Sequence, residues 1–202
     1  MAKRQLLIGT GNRDKGKEIE TILRGLPLQI VYASDFPDLF PPEEVGASYV
    51  EIARQKALYY YERTQIPCVA DDSGLEVDAL EGRPGIWSAH YAGPTATYRD
   101  NNEKLLRELE GIPWHERTAR YRCCAVFVSA PDHCVHEEGI VEGHISVAPF
   151  GENGFGYDPL FVPEGYGKTF AEMAEKIKHA LSHRGNAFRR LRKHIEQWLS
   201  NG

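Results

Sequence analysis

Strand-like and helix-like segments alternate through the first third of this chain, and that alternation restricts its fold more than any other feature. Residues 5–9 read as a strand, a helix pattern runs from about Lys15 to Leu23, and Gln29–Tyr32 is strand-like again. Tyr49–Tyr61 is then helical and Cys68–Asp71 a third strand. Such a chain buries its apolar surface best as a sheet with helices packed on it, which makes the class α/β. Helix 49–61 places Tyr49, Ala53, Lys56, Ala57 and Tyr60 along one side, an apolar stripe interrupted by a single lysine. Another helix is expected from Tyr98, burying Leu105, Leu106 and Leu109 and stopped by Gly111 and Pro113.

Further along, the pattern changes. Ala119–Val128 and Cys134–Val147 are long and strand-like with Pro131-Asp132 between them, so a long hairpin is expected, bent at Gly139 or Gly143. A glycine-rich loop (Gly151, Gly154, Gly156) leads to a helix around Phe170–Ala180. The last helix follows Ser182 and buries Phe188, Leu191, Ile195 and Trp198.

At 202 residues the chain fits one domain, in two lobes at most. Its formal charge of −5 argues against a duplex nucleic-acid partner, which calls for a basic footprint. No apolar run reaches the length of a membrane span, and the segment after Met1-Ala2-Lys3-Arg4 is too short for a signal-peptide core, so a cytoplasmic protein is expected. Cys68, Cys123, Cys124 and Cys134 show no C-x-x-C spacing and read as reduced, buried thiols.

Four segments concentrate ligand-type residues at the ends of these elements. Thr10-Gly11-Asn12-Arg13-Asp14-Lys15 follows a strand and opens a helix, where backbone amides and a lysine suit an anion, although the Walker A pattern is absent. Glu43-Glu44-Val45-Gly46 precedes the helix that carries Lys56. Asp71-Asp72-Ser73-Gly74 sits where the third strand is expected to stop; adjacent carboxylates there suit Mg²⁺, and in an extended chain the two face opposite ways. Gly154-Phe155-Gly156-Tyr157-Asp158, with Lys178 and Ser182-His183-Arg184, offers aromatics for a flat ring and cations for phosphate or base oxygens. Carboxylates, cations and aromatics together describe a nucleoside-triphosphate site without a P-loop.

On these residues the chain resembles the inosine/xanthosine triphosphate pyrophosphatases, the HAM1-like family that clears non-standard purines from nucleotide pools. Seven motifs occur in order: Thr10–Glu18, Glu44–Tyr49, Ala70–Leu80, Pro84–Ala89, Gly154–Pro159, Thr169–Met173 and Ser182–Arg184. The resemblance implies one bilobal domain over residues 1–202, with an elongated central mixed β-sheet flanked by helices, two lobes, an active-site cleft between them, and a homodimer. It implies Mg²⁺-dependent hydrolysis of ITP, dITP and XTP to the monophosphate and pyrophosphate. By the same resemblance Thr10, Gly11, Asn12, Arg13, Asp14 and Lys15 hold the triphosphate, while Glu44 and Asp72 bind metal and Asp72 also serves as general base. Lys56, Ser73, Phe155, Gly156, Tyr157, Asp158, Lys178, His183 and Arg184 complete the substrate site. Oxopurines would be selected by hydrogen-bond donors at the 6-position, from backbone amides or from Arg184. Ile52 and His90 depart from the family's usual residues. A hydrolase of broader nucleotide specificity and a non-catalytic nucleotide sensor are the alternative readings.

Overall fold

The computed structural model describes residues 3–201. Its strands are β1 (Arg4–Ile8), β2 (Leu28–Tyr32), β3 (Cys68–Val77), β4 (Thr118–Ala130), β5 (His133–Ile145) and β6 (Phe161–Pro163). Its α-helices are α1 (Arg13–Leu23), α2 (Tyr49–Thr64), α3 (Tyr98–Glu108), α4 (Glu175–Leu181) and α5 (His183–Ser200). The strands form one sheet in the order β2-β1-β3-β4-β5-β6. β1 runs parallel to β2 and to β3, whereas β5 and β6 are antiparallel, so the sheet is mixed as expected. The chain divides into two compact units, residues 1–72, 123–139 and 184–202 forming one and residues 73–122 and 140–183 the other.

In the first unit, strand alternation decides which helix each residue meets. Leu6, Ile8, Val69, Cys123, Ala125 and Phe127 pack with Ile19 and Leu23 of α1 and with Phe188, Leu191 and Ile195 of α5. The intervening positions Ala70, Cys124, Val126 and Val128 pack with Ala53 and Ala57 of α2, and Leu7 and Cys68 with Tyr60 of the same helix. Gly9 is held to glycine by this packing, because a Cβ there would lie 2.6 Å from the Tyr60 ring and 2.9 Å from the Cys68 sulfur. Carried on by one step of alternation, the pattern delivers Asp71 to the α1/α5 side of β3 and Asp72 to the α2 side. The second unit has its own core, in which Leu75, Val77, Tyr121 and Ile145 from the strands meet Leu105 of α3, Leu109 at its C-terminal cap, and Phe161 and Phe170.

Several expectations need correction. β3 does not stop at Asp71 but continues to Val77, so the two aspartates and Ser73 lie within a strand. Cations on both faces of the strand partner one oxygen of each aspartate, Lys56 at Asp72 Oδ1 and Arg184 at Asp71 Oδ2, and a turn is not required. The helix expected over 170–180 is two pieces: Thr169 and Glu172 form a capping box around one 3₁₀ turn at Phe170–Glu172, Met173 is extended, and α4 starts at Glu175. β6 carried no periodic signal, being three residues ended by a proline. β5 passes through Gly143 as continuous strand, and the glycine is needed because a Cβ would lie 2.3 Å from the Val162 carbonyl oxygen on β6. All four cysteines are free thiols, three of them buried.

Candidate active site

The β1–α1 connection is organised by its own side chains. Asn12 caps α1, its Oδ1 accepting from the amides of Asp14 at 3.0 Å and Lys15 at 3.1 Å, and Thr10 Oγ1 accepts from the Asn12 amide at 3.1 Å. That cap starts α1 at Arg13, two residues before the sequence pattern suggested. Arg13 and Asp14 are exposed, whereas Lys15 reaches inward to within 3.9 Å of Asp71 Oδ2.

Asp71 belongs to a buried charge cluster. Arg184, 2% exposed, donates from Nε at 3.2 Å and from one terminal nitrogen at 3.1 Å to Asp71 Oδ2, and from the other at 2.6 Å to Glu18 Oε2. Burial alone would raise the Asp71 carboxyl, but Arg184, Lys15 and Lys56 outweigh it and hold the group well below the usual carboxylate range. Burial by itself would also lower the Arg184 guanidinium, yet Asp71 and Glu18 keep it firmly charged. Glu18 was not singled out from the sequence. Its signal is a carboxylate one turn after Lys15 and beside Ile19, on the inward stripe of α1, where a solvent-facing acid has no place.

On the opposite face of β3, Lys56 bridges two acids, donating to Glu44 Oε1 at 3.0 Å and to Asp72 Oδ1 at 3.3 Å. Ser48 caps α2 by accepting from the Glu51 amide at 3.3 Å, which fixes the segment carrying Glu44 against this helix. Ile52, one of the two departures, is a buried apolar residue at which Gly46 must lack a side chain: a Cβ on Gly46 would meet Ile52 at 2.8 Å. The other, His90, is exposed. Burial raises the Asp72 carboxyl, and Glu44 and Asp71 add to this against the opposing pull of Lys56, so it lies above the ordinary value. Lys56 is raised as well, because Asp72, Glu44 and Asp71 overcome the cost of burying it.

Asp72 Oδ2 is buried and has no hydrogen-bond partner among the described residues. An acceptor left so beside a second carboxylate fits a hard cation or the proton of a water, since either would satisfy it. Glu44 and Asp72 are two oxygen donors, and no group of three His, Cys, Asp or Glu residues suited to a metal occurs among the described residues. A pair suits Mg²⁺, which is commonly held by one or two carboxylates together with substrate phosphates.

In the second unit, the loop at 154–158 is built around Asp158. Asp158 Oδ2 accepts from the Phe155 amide at 2.8 Å and from Lys178 Nζ at 2.6 Å, and Gly154, at φ +76°, leaves the room this carboxylate occupies. Lys178 Nζ also lies 4.6 Å from the Phe155 ring centroid. Tyr157 is buried, its hydroxyl donating to the Ser88 carbonyl at 2.8 Å, so it braces the loop from beneath. His183 is buried in a parallel stack on Tyr121, with ring centroids 4.5 Å apart. Ser73 is half-buried on β3.

Thus Lys15 and Arg184 meet at Asp71, Glu44 and Asp72 meet at Lys56, and Phe155, Asp158 and Lys178 form a third group. These features define an α/β protein on a mixed six-stranded sheet, with paired carboxylates and cations where its first strands carry their buried charges. The chain belongs to the Ham1 family, whose sequence pattern matches residues 6–194. It is 44% identical over 191 residues to a dITP/XTP pyrophosphatase of Geobacter sulfurreducens, covering 95% of this chain and 96% of that protein. A dITP/XTP pyrophosphatase of Halalkalibacterium halodurans is 42% identical over 196 residues, covering 97% and 99%. Among solved structures, a HAM1 protein from Coxiella burnetii matches with a TM-score of 0.86 at 33% identity, covering 96% of this chain and 99% of that one. The Staphylococcus aureus Ham1 protein matches with a TM-score of 0.84 at 34% identity and the same coverage.

Proposed function

We propose that this protein hydrolyses non-standard purine nucleoside triphosphates, ITP, dITP and XTP, to the monophosphate and pyrophosphate, and that residues 1–202 act as one functional domain. The observation that carries the reading is the Glu44–Lys56–Asp72 centre with its unsatisfied Asp72 oxygen, in a chain related over nearly its whole length to pyrophosphatases of this specificity.

In this reading water attacks the α-phosphorus, the bond from that phosphorus to the bridging oxygen breaks, and pyrophosphate leaves with that oxygen. Mg²⁺, when held by Glu44 and Asp72, supplies positive charge to the phosphate oxygens and lowers the pKa of water. Asp72 Oδ2 takes the proton of the attacking water, a role suited to a carboxylate whose affinity for protons is raised. Lys15 and Lys56 hold and neutralise the phosphates, with Thr10, Gly11, Asn12, Arg13 and Asp14 shaping the turn that receives them. Phe155, Gly156, Asp158, Lys178 and His183 serve the base, with Ser73 beside the nucleotide and Tyr157 supporting the loop. Arg184 acts through Asp71: it is 2% exposed and turned to Asp71 and Glu18, away from solvent, so the donors opposite the 6-oxo group fall to backbone amides. A cytoplasmic homodimer is the expected form.

The deciding measurement is pyrophosphate release from ITP, XTP, GTP and ATP with and without Mg²⁺. Release concentrated on ITP and XTP and dependent on Mg²⁺ is expected. Comparable turnover of ATP and ITP would favour the broader hydrolase, and no release from any of the four would favour the sensor.

A further inference from the structure

Helix α3 places two residues against the 154–158 loop. Tyr98 and Asn102 are four positions apart and therefore share one helix face. The Tyr98 ring lies 6.1 Å from that of Phe155, with the planes inclined at 38°, yet 42% of this residue remains exposed. Asn102 Nδ2 donates to the carbonyl of Gly156 at 3.0 Å, and Gly156 holds a left-handed φ of +63°. Asn102 Oδ1 is buried with no partner among the described residues, so the bond to Gly156 is the carboxamide's sole hydrogen bond there. Its one structural service is to the loop that carries Phe155. Lys178 stands over the Phe155 ring at 4.6 Å and occupies one side of it. A single phenyl ring is smaller than a bicyclic purine, and a second, inclined ring at its edge extends the apolar surface toward purine size.

We propose that this face of α3 belongs to the base site, with Tyr98 touching the purine of an oxopurine nucleotide beside Phe155 and Asn102 acting as a positioning residue that sets Phe155 through Gly156. This rests on the reading that the 154–158 loop receives the base. Tyr98 is the first residue of α3 and the Thr97–Asp100 capping box does not involve its side chain, so its replacement leaves the helix start intact.

The test is steady-state hydrolysis of ITP by wild-type, Tyr98→Ala, Tyr98→Phe, Asn102→Ala and Asn102→Asp proteins, with inhibition by inorganic pyrophosphate as an arm that has no base. Tyr98→Ala should raise KM for ITP about five- to tenfold, the scale of one lost stacking contact at an exposed ring. It should leave kcat within about twofold, because the contact is made equally before and during the reaction. Tyr98→Phe should behave as wild type. Asn102→Ala should raise KM, and Asn102→Asp should raise it further, since an acceptor then faces the Gly156 carbonyl. Pyrophosphate inhibition should be unchanged in every variant. An unmoved KM in Tyr98→Ala, or a parallel loss of pyrophosphate inhibition, overturns the proposal while the wild-type activity stands. If the wild-type protein itself releases no pyrophosphate from ITP, the underlying function fails and takes this inference with it.

Discussion

Asp71 and Asp72 are neighbours in sequence with opposite proton chemistry, and the pleat of β3 is the cause. One faces Arg184 and Lys15 and is held far below the ordinary carboxylate value, while the other faces a single lysine shared with Glu44 and is held above it. Replacing Asp72 with Asn should lower kcat for ITP by about 10²–10⁴-fold, the usual worth of a positioned base, with the far-UV circular dichroism unchanged. Asp71→Asn should instead act on stability, by about 3–5 kcal/mol, because it leaves Arg184 buried beside one acid rather than two. The pH dependence follows from the direction of the shift. The folded protein lowers this pKa below its unfolded value near 3.9. The stabilisation is therefore complete above about pH 4 and fades as pH falls from there toward the folded pKa. Urea titrations between about pH 5 and 2.5 should show the wild-type protein losing stability more steeply than Asp71→Asn. Parallel curves would refute the assignment.

At the level of elements, local rules read well where the period is strong and fail where tertiary contacts decide. α1, α2, α3 and α5 were legible from their apolar stripes, and the long hairpin from two strand-like runs around Pro131-Asp132. The end of β3 was misread because Asp, Asp, Ser and Gly are turn formers, and their burial in mid-strand depends on Lys56, Arg184 and Lys15, which lie far away in sequence. The same distance hid Glu18, which explains itself once Arg184 from the start of α5 is placed against it. Gly143 shows the limit from the other side. Its sequence suggested a bend at Gly139 or Gly143; strand pairing continues through Gly143, and the glycine there serves the approach of β6. Gly143→Ala should therefore destabilise by about 1–3 kcal/mol, since the obstacle is the Val162 backbone and cannot swing away. Each kcal/mol is worth about 2–4 °C in Tm for a chain of this size. A thermal melt indistinguishable from wild type would show that β6 yields more easily than a paired strand should.

For the molecule as a whole, the informative quantity is how its charges are balanced. The chain carries a formal −5, and its two charge clusters, buried at Glu18, Asp71, Asp72, Lys56 and Arg184 but open at Glu44, set Glu18, Glu44, Asp71 and Asp72 against Lys15, Lys56 and Arg184, one negative charge in excess. That excess is small enough for the fold to stand without a divalent cation, yet it is gathered at the Asp72 side, where the oxygen without a partner lies. Folding and turnover should consequently respond differently to chelation. Treatment with EDTA is expected to abolish pyrophosphate release from ITP, to leave Tm within about 2 °C of the untreated protein, and to be reversed by added Mg²⁺. Lys56→Met inverts this pattern, since it strips Asp72 of its counter-charge and leaves the two acids facing each other in partial burial. In metal-free buffer that variant should melt below the wild type, and Mg²⁺ should raise its Tm more than it raises the wild-type value, because the cation then supplies the charge that Lys56 provides. Equal Mg²⁺ shifts in the two proteins would separate the metal from Glu44 and Asp72 and place it elsewhere in the molecule.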